Sequence, residues 1–131
     1  MSIKWFSLAA LLAVAVSVPM SAHHSHGQYD LRSWHTMEGV VKAVQWINPH
    51  SVVYVDIKDD KGQVRTWALE ATSPSGIMNN GVKREDVKAG DPVTVRFHLL
   101  RDGAAGGGLL GYITPKHGDT ARSHGIEKDW D

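Results

Sequence analysis

The sequence predicts an all-β protein, a small five-stranded OB-like barrel with one short helix between strands 3 and 4. Three observations predict it. Apolar and polar residues alternate through several separate runs. Gly39 interrupts the long first run, where a strand would have to bend to serve both halves of a sheet. The clearest helix-start signal stands between the third run and the fourth.

The first strand is expected over residues 36–46, rich in valine with Lys42 and Gln45 interleaved, and Asn48-Pro49 ends it. Residues 51–58 carry Val53, Val55 and Ile57 on one face and Tyr54, Asp56 and Lys58 on the other. Asp59-Asp60-Lys61-Gly62 supplies turn chemistry, so residues 63–70 return as the second arm of a hairpin, with Trp67 and Leu69 on one side. Ser73-Pro74 starts a brief helix that Asn80-Gly81 stops. Residues 82–89 read as a helical turn or irregular crossover in which Glu85-Asp86 is solvated. A fourth strand over residues 92–100 places Val93, Val95, Phe97 and Leu99 inward and His98 on the outer face with Thr94 and Arg96. Residues 101–108 read as a flexible glycine-rich loop, and residues 109–114 as a last short strand. Val53, Val55, Ile57, Leu69, Val93, Val95 and Phe97 are the predicted core. An open antiparallel sheet covered by the helix has the same periodicity and stays open as the alternative.

Ahead of these elements, Lys4 precedes an apolar run over residues 5–18, followed by Pro19 and the small residues Ser21 and Ala22. That order is a secretory signal, and the run is shorter than the roughly 20 residues of a membrane span. The expected organisation is a cleaved signal at 1–22, a histidine-rich arm at 23–35, the β domain at 36–114 and a polar flexible tail at 115–131. The expected location is periplasmic or secreted. With 14 Lys and Arg against 14 Asp and Glu, the formal net charge is zero. That excludes the basic footprint of a nucleic-acid binder, and no basic amphipathic segment points to a membrane surface once the signal is removed. Cysteine is absent, so neither disulfides nor a lipidated cysteine hold or anchor the domain.

Several short motifs stand out together: His23-His24-Ser25, Trp46-Ile47-Asn48-Pro49-His50, Trp67-Ala68-Leu69-Glu70 with Ser73-Pro74, and Gly90-Asp91-Pro92-Val93. In these the chain resembles the bacterial family called domain of unknown function 6152, from His23 to about Thr114. The resemblance implies an exported protein of OB-like build and brings no activity or cofactor with it. Family members often carry an aromatic residue after His-His-Ser, whereas this chain has His26, which adds a ligand candidate.

The residues themselves carry the chemistry. His23, His24 and His26 cluster at the mature start, with His35 a short way on, and neutral imidazole is the commonest protein ligand for metals. A cut after Ala22 gives His23 a free α-amine beside its own ring, and these two nitrogens with a third imidazole make a histidine brace. An all-nitrogen tetragonal site suits Cu(II), with nickel or zinc behind it. His50, at a strand corner after Asn48-Pro49, is the candidate for the third nitrogen, and Glu70 for an oxygen ligand or a partner behind it. A cut one residue earlier would leave Ala22-His23-His24, a flexible chelate that needs neither His50 nor a barrel. His117 and His124, in the tail, could reinforce binding only loosely.

Catalysis finds little support. No serine sits in a nucleophile elbow, and residues 103–108 lack the Lys-Ser or Lys-Thr of a phosphate loop and precede a strand instead of a helix. The expectation is therefore a binding protein for a metal ion, copper favoured. The alternative is a non-metal OB module for an oligosaccharide, peptide or envelope protein, using Trp46, Tyr54 and Trp67 as a stacking platform, although tryptophans in so small a core are more often buried.

Overall fold

Six strands and one helix account for the chain order in a computed structural model that describes residues 26–131. These are β1 (His35–Gln45), β2 (Val52–Lys58), β3 (Val64–Glu70), α1 (Pro74–Asn79), β4 (Pro92–Leu99), β5 (Gly107–Pro115) and β6 (Lys128–Asp129). The sheet order is β3-β2-β1-β4-β5-β6, and a parallel pairing of β3 with β5 closes the first five into a barrel. The all-β barrel with a short helix between strands 3 and 4 is thus the architecture, and the open sheet is excluded.

Alternation explains the core. Val53, Val55, Ile57, Leu69, Val93, Val95 and Phe97 are all buried, joined by Val41, Trp67, Leu110 and Ile113. The long β1 serves both halves, because His35–Val40 pairs with β4 while Val40–Gln45 pairs with β2. Gly39 sits at the changeover, where a Cβ would fall 2.6 Å from the Asp56 carbonyl oxygen and 2.7 Å from Val55 Cγ1. The bulge itself comes slightly later, between Val41 and Ala43. The hairpin turn is held by Asp59, whose carboxylate accepts from the backbone N–H groups of Lys61 and Gln63. The Ser73 hydroxyl caps α1 by accepting from Gly76 N at 3.1 Å, and α1 drives Ile77 into the core.

Four expectations are corrected. The first concerns residues 101–108, where Gly107 and Gly108 are strand residues that pair with Ala68 and Leu69. A Cβ on Gly108 would lie 2.7 Å from the His98 carbonyl oxygen, so only glycine lets β5 reach both neighbours. The second is His98, which is buried and not on the outer face. A register irregularity between Arg96 and Phe97 breaks the two-residue alternation, so Phe97 and His98 are buried in succession.

The third is Asp86, expected to be solvated but only 1% exposed. It accepts from Lys83 N, the Ser123 hydroxyl and the Lys128 ammonium. The fourth is the tail, expected to be polar and flexible. Residues 115–131 fold back instead, β6 pairs with β5, Arg122 pairs with Asp91, and Trp130 is buried with its ring 5.4 Å from that of Trp46. Among the described residues no helix is long and apolar enough to cross a membrane.

Candidate functional site

Glu70 ends β3 and His50 precedes β2, so the hairpin pairing that brings Val52 opposite Glu70 carries His50 to the same rim of the barrel. The His50 Nδ1 lies 3.4 Å from Glu70 Oε1 and 3.3 Å from the Ala71 carbonyl oxygen. Only the contact to the Ala71 carbonyl has hydrogen-bond geometry, and the Glu70 oxygen lies beside it at ion-pair distance. An unprotonated Nδ1 would aim a lone pair at both oxygens. A carbonyl can only accept, so in the bond to Ala71 the Nδ1 is the donor. Both side chains are partly buried, at 24% and 19% exposure.

The other carboxylate oxygen is engaged from the amino-terminal side. The Tyr29 hydroxyl donates to Glu70 Oε2 at 2.6 Å, the length of a charge-assisted bond. Burial, then the hydrogen bond to Glu70 and its charge, hold the Tyr29 phenol well above its ordinary pKa. Tyr29 itself is 5% exposed. The arm around it is stitched to the ends of β4 and β5: Tyr29 bridges to Leu100, Asp30 N donates to the Leu99 carbonyl, and Arg101 N donates to the Gln28 carbonyl. Tyr29, His50 and Glu70 border a groove of about 460 Å³ whose walls include Ile47, Leu100 and Gly107. A 3-10 turn, His26–Gln28, leads directly into it.

Sequence reasoning thus found His50 and Glu70, and the fold brings them together. It missed Tyr29. The only local signal was an aromatic in a mostly polar arm that also holds Trp34, and its partner lies 41 residues away. His23 and His24 fall outside the described residues, and so does the expected signal. For His26 only the backbone is described, in the turn just before Tyr29. His35 starts β1 with its ring against Phe97.

His117 and His124 face each other in the folded tail, ring centroids 6.5 Å apart, each accepting a backbone N–H at Nδ1. Among the described residues no group of three or more His, Asp or Glu side chains is arranged to hold a metal. The aromatic platform does not form. Trp67 packs on Phe97 in the core, Trp46 lies against Trp130 under the Arg84 guanidinium, and the Tyr54 hydroxyl donates to Gln45.

A family model described as a family of unknown function (DUF6152) matches residues 10–109. No curated protein and no solved structure matches the chain.

Proposed function

The chain belongs to the family of unknown function (DUF6152), so its function rests on its own residues, and we propose an exported, periplasmic protein that binds Cu(II) through its amino-terminal histidines. In this reading the signal is removed after Ala22. The His23 α-amine and ring then supply two nitrogens and His50 Nε2 a third, with His24 or His26 as a further donor. Nickel and zinc fit the same donors with lower preference. Glu70 acts behind His50 instead of ligating, because its oxygens face His50 Nδ1 and the Tyr29 hydroxyl.

One observation carries the reading: the carboxylate beside the His50 imidazole is the same one that accepts from Tyr29 in the arm leading to the histidines. Metal-bound histidines characteristically donate their second ring N–H to a carboxylate or backbone carbonyl, and His50 Nδ1 faces one of each. The arm supplies the rest by proximity. Tyr29 follows His26 by three residues, and three residues of chain reach at most about 10 Å.

The test is Cu(II) titration of mature protein with its native amino terminus, alongside His50→Ala and a variant with one residue added before His23. Both changes should weaken binding at least tenfold. If both leave the affinity untouched, the brace is wrong and the flexible amino-terminal chelate replaces it. If the unmodified protein binds no better than a free histidine peptide, the metal reading is abandoned.

A further inference from the structure

A second pocket, of about 240 Å³, opens where the arm meets β4, β5 and the folded tail, and it shares no lining residue with the groove at His50. Leu31 and Trp34 come from the arm, His98 from β4, Tyr112 from β5, and Asp129 and Asp131 from the tail. We propose that this pocket binds a primary alkylammonium ion. Its N–H groups are donated to His98 Nε2 and to the two carboxylates, and its carbon chain packs on Leu31 and Trp34.

His98 supplies the observation that points to a ligand. Its side chain is only 6% exposed, and its Nδ1 lies 2.7 Å from the Ser33 carbonyl oxygen. That oxygen can only accept, so Nδ1 carries the proton and the neutral ring keeps a lone pair on Nε2. Among the described residues Nε2 has no hydrogen-bond partner, yet the buried side-chain polar atoms left without one are Ser51 Oγ and Arg96 Nε. Nε2 therefore touches open space, and the space that His98 borders is this pocket. A polar atom so placed gains from a donor that enters.

Charge decides the kind of donor. Neither Asp129 nor Asp131 forms an ion pair among the described residues, because Lys128 is engaged by Asp86 and Arg96 by Glu127. Two carboxylates without a counter-charge repel anions. The aromatic walls agree, since the rings of Trp34 and Tyr112 already hold the Arg96 guanidinium 5.2 and 4.2 Å from their centroids. No three His, Asp or Glu side chains among the described residues are grouped to hold a bare metal ion. A quaternary ammonium would bring no N–H for His98. An ammonium carries three donors, which match acceptors on three separate residues. The volume is below the ~300 Å³ at which pockets for drug-sized ligands begin, so the chain is short, and Leu31 and Trp34, each 47% exposed, offer it apolar surface.

NMR titration of the mature protein at fixed ionic strength and neutral pH tests this with n-butylammonium. The Trp34 indole N–H and the His98 ring nitrogens should shift and saturate with a Kd of about 1 mM or tighter. Neutral n-butanol and tetramethylammonium should bind at least tenfold more weakly. Asp129→Asn with Asp131→Asn should weaken n-butylammonium at least tenfold. The Asn at 129 keeps an oxygen to accept the Asp131 N–H, as Asp129 Oδ1 does now. His98→Asn, which keeps a donor for Ser33 and loses the Nε2 lone pair, should weaken it as well.

A short lysine peptide, acetyl-lysine methylamide, separates the two sources of the same group. Tighter binding than n-butylammonium makes the ligand a lysine side chain of a partner protein, and weaker binding makes it a free amine. Failure of n-butylammonium to saturate by about 20 mM, equal binding of n-butanol or tetramethylammonium, or wild-type affinity in the double Asn variant would each overturn the site. If His98→Asn disturbs the arm, the double Asn variant decides alone.

Discussion

Trp34 rests on the backbone of Gly111. A Cβ at that glycine would fall 2.5 Å from Trp34 Cη2, and the indole lies with its centroid 3.8 Å from the His98 ring. His98 Nδ1, 2.7 Å from the Ser33 carbonyl, secures the same turn of chain. The arm is therefore held at two points, Tyr29 at the groove and Trp34 on β5. Gly111→Ala should lift the indole and loosen the arm without opening the barrel. Amide exchange at Asp30, whose N–H bonds the Leu99 carbonyl, should quicken at least tenfold while exchange in β2 is unchanged. Equal protection in both proteins would show that Trp34 does not anchor the arm.

Gly108→Ala should be harsher. Its Cβ would meet the His98 carbonyl oxygen and Phe97 Cδ2, each at 2.7 Å, and neither backbone nor core ring can move aside freely. Overpacking of this kind costs about 1–3 kcal/mol, and here it falls on the pairing that closes the barrel. Denaturant unfolding should show a loss of unfolding free energy of that order, and a loss below about 0.5 kcal/mol would mean that β3 and β5 can separate cheaply.

Asp86→Ala removes the acceptor of Lys83 N, Ser123 and Lys128 together. Breaking a buried pair from one side costs about 3–5 kcal/mol. Lys128 keeps 19% exposure and can recover some hydration, so a loss of about 3 kcal/mol is expected in thermal or chemical unfolding. Lys128→Met should cost less, because Asp86 retains its backbone and serine donors.

Acid should weaken the same region. Burial by itself would raise the Asp86 and Asp91 carboxyls, but hydrogen bonds from Lys83 N, Lys128 and Ser123 in one case, and from Arg122 and Lys88 N in the other, hold both below the ordinary carboxylate value. A carboxyl lowered in the folded state contributes stability fully above its unfolded pKa, about 3.9, and loses it as pH falls toward the folded value. Unfolding free energy should thus be level from pH 6 to about 5 and drop below about 4. Asp86→Asn should flatten that drop, and an unchanged slope would assign the acid sensitivity elsewhere.

Export has its own measurement. Intact-mass analysis of the periplasmic fraction should give a species beginning at His23, and one retaining Met1 in the inner membrane would defeat both the signal and the brace that depends on a free His23 amine.

Much of the fold was legible because period-2 burial is a local property. Val53, Val55 and Ile57 on one face and Tyr54 and Lys58 on the other announce a strand before any partner is known. Gly39 was legible as a break in that pattern, since only a backbone constraint explains glycine in a valine-rich run. His98 was not, because the irregularity that buries it arises in the pairing of β4 with β5 and leaves no mark on β4 alone. Asp86 and Trp130 fail for the same reason: each is buried by residues dozens of positions away, and a polar segment with one tryptophan reads as tail until its contacts exist. At the rim, His50 and Glu70 stand out by residue type, whereas Tyr29 earns its place only through Glu70.

The parallel contact between β3 and β5 also bears on timing. A chain made from its amino terminus can form the β2–β3 hairpin early, but the barrel has no closing strand until Gly107 and Gly108 arrive, and Trp46 has no Trp130 until the last residues do. Closure through such distant partners is slow by nature. The arm, synthesised ahead of every strand, must wait for Leu99, Leu100 and Arg101 before it can be stitched down. The first part of the described chain to be made is thus among the last to find its place, and the rim around His50 is assembled after the strands that support it.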